Sequence, residues 1–64
     1  MKVNGNDVRV DAPVTLAEFI VSNNYNIDRV AVELNGKIVP KRSYNDVQIG
    51  NGDTLEIVGF VGGG

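Results

Sequence analysis

A chain of 64 residues that contains neither cysteine nor histidine has to fold on apolar packing and hydrogen bonds alone. Domains of this size bury a modest share of their surface, and many add a disulfide or a bound metal to become stable. Here no thiol can be crosslinked, and no thiolate or imidazole is present to hold zinc. One small domain remains, with its apolar residues carrying the structure. The same absences remove whole classes of chemistry. A Ser-His-Asp triad, a cysteine nucleophile and an ordinary zinc centre all need residues this chain lacks. Any sulfur chemistry it joins must use sulfur supplied from outside.

The apolar pattern sets the architecture. Val3, the Asn4-Gly5-Asn6 turn and Val8-Arg9-Val10 read as a hairpin with a very short first strand, since Asn-Gly suits a turn with positive φ. Asp11-Ala12-Pro13-Val14 interrupts that pattern. Thr15-Leu16-Ala17-Glu18 then matches a capping box, with Leu16, Phe19 and Ile20 on one helical face. The helix should stop near Ser22-Asn23-Asn24, whose side chains compete for backbone bonds. Val30, Val32 and Leu34 alternate with Ala31, Glu33 and Asn35, as a half-buried strand does. Asn35-Gly36 turns the chain, Lys37-Ile38-Val39 returns and Pro40 ends the strand. Residues 42–49 read as irregular with a short helical turn, and Tyr44, Val47 and Ile49 cover the core edge. Gly50-Asn51-Gly52-Asp53 signals a turn, and Thr54 to Val58 forms the last strand, with Leu55 and Ile57 inward.

Five strand candidates and one amphipathic helix need a second layer to bury the helical stripe, and a twisted sheet supplies it. The expected fold is an α+β roll of the β-grasp type, a mixed four- to five-stranded sheet packed on one main helix. In that arrangement the first and last strands lie parallel, and the last strand is central. Residues 1–61 would form the domain, and 62–64 a flexible glycine tail.

The tail is the functional signal. Gly62, Gly63 and Gly64 follow an apolar strand, carry no side chains and resist ordering. They offer a carboxylate on a thin tether that can enter a channel closed to any residue with a Cβ. A frayed end is the plainer alternative. Near the tail's root, unbroken alternation would turn Val58 and Phe60 outward as a docking patch. A bulge at Gly59 would instead reverse the parity and bury Phe60.

Charge narrows the partners. Six basic and eight acidic residues give a net charge of -2, which disfavours an electrostatic nucleic-acid binder. Lys37, Lys41 and Arg42 form the local basic exception, either a solvated strand edge or a contact patch for an acidic partner. Glu33 and Glu56 should face solvent from neighbouring strands, within reach of basic partner residues. Asp7, Asp11, Asp46 and Asp53 lack calcium-loop spacing and sit at turns, so no metal site is expected. Met1-Lys2-Val3-Asn4-Gly5 has no apolar leader, and no apolar run reaches membrane-spanning length. A cytoplasmic protein with no membrane partner is the expectation.

The stretch Val30-Ala31-Val32-Glu33-Leu34-Asn35-Gly36-Lys37-Ile38-Val39-Pro40 resembles the ThiS family of thiamine-biosynthesis sulfur carriers. So do the turn Asn51-Gly52-Asp53, the strand Leu55-Glu56-Ile57-Val58 and the ending Phe60-Val61-Gly62-Gly63-Gly64. The resemblance covers most of the chain and is strongest from Val30 onward. It implies a ubiquitin-like carrier rather than an enzyme. It also implies that Gly64 is adenylated by a ThiF-type enzyme using ATP and magnesium, with no cofactor bound by the carrier itself. Gly64 would then become a thiocarboxylate, with sulfur from a donor enzyme, and pass that sulfur to thiazole synthase, ThiG. Gly63 and Gly64 match the family's Gly-Gly end; Gly62 is an additional glycine. Val58, Phe60, Val61, Lys37, Lys41 and Arg42 are the candidate partner contacts. Two related readings share the tail logic: the molybdopterin-synthase small subunit and a ubiquitin-like protein modifier.

Overall fold

The computed structural model describes residues 1–59. Its main sheet contains β1 (Lys2–Val3), β2 (Asn6–Asp7), β4 (Val30–Leu34), β5 (Lys37–Val39) and β7 (Thr54–Gly59), in the order β2-β1-β7-β4-β5. A second, two-stranded sheet joins β3 (Val14–Thr15) to β6 (Gln48–Ile49). The helix α1 (Leu16–Ser22) supplies the other layer. β7 runs parallel to β1 on one side and antiparallel to β4 on the other. The expected central last strand, parallel to the first, is therefore present.

Each element has a local cause. Asn4-Gly5 and Asn35-Gly36 both hold positive φ, at 51° and 84° and at 52° and 85°. This is the conformation of the two-residue turn whose twist matches paired strands. Helix α1 begins as the capping box requires. The Glu18 amide donates to Thr15 Oγ1 at 3.1 Å, and the Thr15 amide donates to Glu18 Oε1 at 3.0 Å. Such a cap is worth about 0.5–2 kcal/mol. The next helical amides, Leu16 and Ala17, donate to the carbonyls of Val47 and Tyr44 at 2.8 and 2.9 Å. At the far end Ser22 Oγ and Asn23 Nδ2 both donate to the Phe19 carbonyl, and Asn24 adopts φ 67°. Polar side chains end the helix where the sequence placed its stop.

The core forms where α1 meets the inner face of the sheet. Leu16, Ala17, Phe19 and Ile20 pack with Val3, Val30, Val32, Leu55 and Ile57, and Tyr44 and Ile49 close one end. Tyr44 Oη donates to the Val30 carbonyl at 3.4 Å, and burial pushes its phenol pKa up. Among the described residues, no buried side-chain polar atom lacks a partner.

Two features differ from the sequence reading. The second strand is Asn6–Asp7, not Val8 to Val10. The tight turn pairs Val3 with Asn6 and Lys2 with Asp7, and the ladder ends where the Val8 amide donates to the Met1 carbonyl at 2.7 Å. Val10 instead exchanges two hydrogen bonds with the side chain of Asn51. Val14 and the helix cap Thr15 pair with Ile49 and Gln48 as two short strands, where the sequence suggests a chain interruption and an irregular segment. The short helical turn expected in that region is present as a 3-10 turn at Lys41–Ser43.

Candidate functional site

Strand β7 points toward the glycine tail, so what holds β7 defines the site. Its start is fixed by Asn35. The Thr54 amide donates to Asn35 Oδ1 at 2.9 Å, and the Asn35 amide donates to the Thr54 carbonyl at 2.8 Å. Asn35 Nδ2 also donates to Asp53 Oδ1 at 3.0 Å, while the Gly50 amide donates to Asp53 Oδ2 at 2.9 Å. These donors, the Asn35 amide first, hold the Asp53 carboxyl below its ordinary value. The Thr15 amide and then its hydroxyl do the same for Glu18.

Both folded-state values are depressed, so the folded domain binds these protons less readily than the unfolded chain. The resulting stability is present above the ordinary values of 4.5 for Glu18 and 3.8 for Asp53. It is lost as pH falls through the lower folded values. The melting temperature should therefore drop between about pH 5 and about pH 3. Asn35→Gly keeps the positive-φ turn but removes one donor to Asp53, so its pH dependence should be shallower. A melting curve parallel to that of the parent would contradict this.

Farther along, β7 outruns its parallel neighbour, because β1 turns away at Asn4. The Asn4 side chain fills the place of the missing strand. The Ile57 amide donates to Asn4 Oδ1 at 2.7 Å, and Asn4 Nδ2 donates to the Ile57 carbonyl at 3.1 Å. A primary amide can do this because it carries a donor and an acceptor spaced like those of a peptide group. On the opposite side β4 stays paired to the last described residue, with Ala31 opposite Val58 and Val30 opposite Gly59.

That register runs one to one, so the bulge considered at Gly59 does not occur within the described residues. Val58 faces outward and is 58% exposed. Phe60 and Val61, the tail glycines Gly62, Gly63 and Gly64, and the proposed boundary after residue 61 all lie outside the described residues.

The basic positions do not form one patch built on shared contacts. Lys37 lies on β5, an edge of the main sheet. Lys41 Nζ donates to the Asp28 carbonyl at 2.9 Å and stands 3.9 Å from its carboxylate. Arg42 is exposed in the adjoining 3-10 turn. Asp7 and Asp11 lie beside Lys2 and Arg9 at 3.3 and 3.7 Å.

The asparagine bridges were the part missed in the sequence. The sequence alone presents Asn4 and Asn35 only as turn formers. Their position at the point where one strand stops and its neighbour continues is the signal for the second role.

A helix packed on a mixed sheet, with a central last strand clamped on both flanks, defines a β-grasp domain of ubiquitin-like build. The ThiS family model matches residues 1–64, and the chain belongs to the ThiS family. It is 35% identical over 65 residues to the sulfur carrier protein ThiS of Bacillus subtilis, covering 100% of this chain and 98% of that one. It is also 42% identical over 62 residues to a thiazole synthase of Paramagnetospirillum magneticum, covering 97% of this chain; the chain spans only 19% of that synthase. Its fold superposes with TM-score 0.81 on the crystal structure of the thiamine biosynthesis protein ThiS of Geobacter metallireducens. Sequence identity there is 29%, with 98% of this chain and 96% of that one covered.

Proposed function

We propose that this chain is a sulfur carrier of thiamine biosynthesis, with Gly64 as the group that is charged and discharged. The observation that carries this reading is the strand leading to the tail. β7 is central, held by Asn35 at its start and by Asn4 at Ile57, and paired with β4 as far as Gly59. Such a scaffold fixes the root of a terminal segment while leaving the end for other proteins to handle. Family membership and the Gly62-Gly63-Gly64 sequence support the assignment.

The chemistry follows from the terminal carboxylate. A carboxylate is a poor electrophile, because its charge is delocalised and solvated. Attack of one carboxylate oxygen on the α-phosphorus of ATP forms an acyl adenylate and releases pyrophosphate. A sulfur nucleophile from the donor then attacks the acyl carbon, and AMP departs. When that nucleophile is hydrosulfide, the C–S bond forms as the C–O bond to AMP breaks and the S–H proton goes to solvent, so sulfur stands where an oxygen stood and can act as a nucleophile in thiazole formation. The partners are a ThiF-type adenylating enzyme with its ATP and magnesium, a sulfur-donor enzyme and thiazole synthase. The carrier supplies reach and low bulk; three extended glycines span about 10 Å.

Intact mass after incubation with ATP, magnesium, a ThiF-type enzyme and a sulfide source tests the reading. The expected result is replacement of one oxygen by sulfur, located on Gly64 by fragmentation. An unchanged mass under conditions that charge an established carrier would overturn it. Isopeptide conjugates to lysines in place of a thiocarboxylate would point to a protein modifier.

A further inference from the structure

Strand β1 ends where β7 still needs a partner, and one side chain takes over. The parallel register runs from Lys2 opposite Thr54 to Val3 opposite Leu55. The Asn4 amide adds one more ladder bond, donating to the Leu55 carbonyl at 2.9 Å. In a continuing parallel ladder the Asn4 carbonyl would next accept from the Ile57 amide, and the amide two residues on would donate to the Ile57 carbonyl. The chain instead turns at Asn4, with φ 51°, and Asn6–Asp7 runs back along β1. Asn4 Oδ1 replaces the first missing group and Asn4 Nδ2 the second, at 2.7 and 3.1 Å.

The turn alone does not require this residue. Asp-Gly and Gly-Gly make the same two-residue turn, but an ionised aspartate side chain offers no donor and glycine offers neither group. Asparagine serves the positive φ and both backbone groups of Ile57 at once. These two bonds are partly buried, where an unpaired amide or carbonyl is costly.

We infer that Asn4 is a positioning residue for the charging reaction. Through its two bonds to Ile57 it holds the outgoing end of β7 on the side that β1 has left, and so sets where and in which direction the tail departs. The inference rests on the carrier reading given above. Asn4 acts through β7 and touches no reacting atom. On the other flank β4 pairs with β7 as far as Gly59. With β4 alone, the end of β7 can pivot about a single line of bonds; with Asn4 it is held from two sides. A small rotation at a root becomes a larger displacement at the end of what it carries, and attack on the phosphorus of ATP tolerates little misplacement.

The test compares Asn4→Gly with Asn51→Gly in the full chain. Each is charged by a ThiF-type adenylating enzyme with ATP, magnesium and a sulfide source, below both melting temperatures. Glycine accepts the positive φ of the turn. Asn51 makes the same kind of two-bond bridge, to the amide and carbonyl of Val10, away from the outgoing end of β7. Asn51→Gly therefore controls for the loss of an amide bridge as such. Both variants should melt below the parent. In Asn4→Gly, hydrogen exchange at the Ile57 amide should quicken. Its kcat for thiocarboxylate formation should fall about tenfold, with KM for the carrier within about twofold of the parent. Asn51→Gly should keep the parental kcat and KM. If Asn4→Gly does not fold, Asn4→Asp, which keeps the turn and the acceptor for the Ile57 amide, should also lose kcat at unchanged KM. A parental kcat in the folded Asn4 variant would overturn the inference. So would equal slowing in Asn51→Gly, which would make the bridge a general support. A raised KM at unchanged kcat would overturn it too, by making Asn4 a binding contact.

The two readings fail separately. A parent chain that gains no sulfur defeats the carrier reading, whereas a charged parent and an equally fast Asn4 variant defeat only the positioning role.

Discussion

Replacing Leu55 with alanine is expected to remove a large part of the domain's stability. Leu55 has 0% exposure near the start of β7, opposite Val3 of β1 and Leu34 of β4. Truncating a buried leucine typically costs about 2–5 kcal/mol, through lost transfer energy and the cavity left behind. A chain of 64 residues has a total stability of only about 3–10 kcal/mol. There is no disulfide to limit the loss. Urea unfolding followed by circular dichroism should show a midpoint far below that of the parent, or no folded baseline. Val58→Ala, on the exposed face of the same strand, is the control and should stay within about 0.5 kcal/mol of the parent. If both substitutions moved the midpoint equally, the inner and outer faces of β7 would have been misassigned.

The second large effect concerns chemistry rather than stability. Gly63→Val is expected to slow formation of the thiocarboxylate by about 100-fold or more. A branched side chain next to the reacting acyl group should shift it from the position that attack requires, and a displacement of about 1 Å can cost that much. The unfolding midpoint should be unchanged within about 0.5 kcal/mol, because Gly63 lies beyond the last core residue of β7, Ile57. Timed intact-mass measurements with the adenylating enzyme and a sulfide source provide the readout. A variant charged at the parental rate would show that the tail does not enter a confined channel.

Much of the fold was legible because the strongest local signals agreed with one another. The Thr15–Glu18 box, the Leu16, Phe19 and Ile20 stripe, both Asn-Gly turns and the Val30-Val32 and Leu55-Ile57 alternations all appear where the residues place them. The second strand was misplaced because valine's preference for strands is weaker than the register imposed by the Asn4-Gly5 turn. The β3–β6 pair was missed because two-residue strands show no periodicity. They form only when folding brings Val14 opposite Ile49.

The candidate site was readable in part. Val58 is outward, as alternation required, and Glu33 and Glu56 face solvent. That the two glutamates stand opposite each other depends on the β4–β7 register, which spans more than twenty residues of chain and has no local signature. The Asn4 bridge to Ile57 is similarly nonlocal, linking residues 53 positions apart.

The parallel alignment of β1 and β7 has a mechanical corollary. Tension applied between the front of the chain and its tail acts along both strands in opposite senses. It loads their shared hydrogen bonds together, in shear, instead of peeling them apart singly. The Asn4 amide adds two further bonds to this short clamp, just behind the point where an enzyme would tug. A partner drawing the glycines into a tight channel would therefore meet a root that resists extraction, while the load on the helix would stay small.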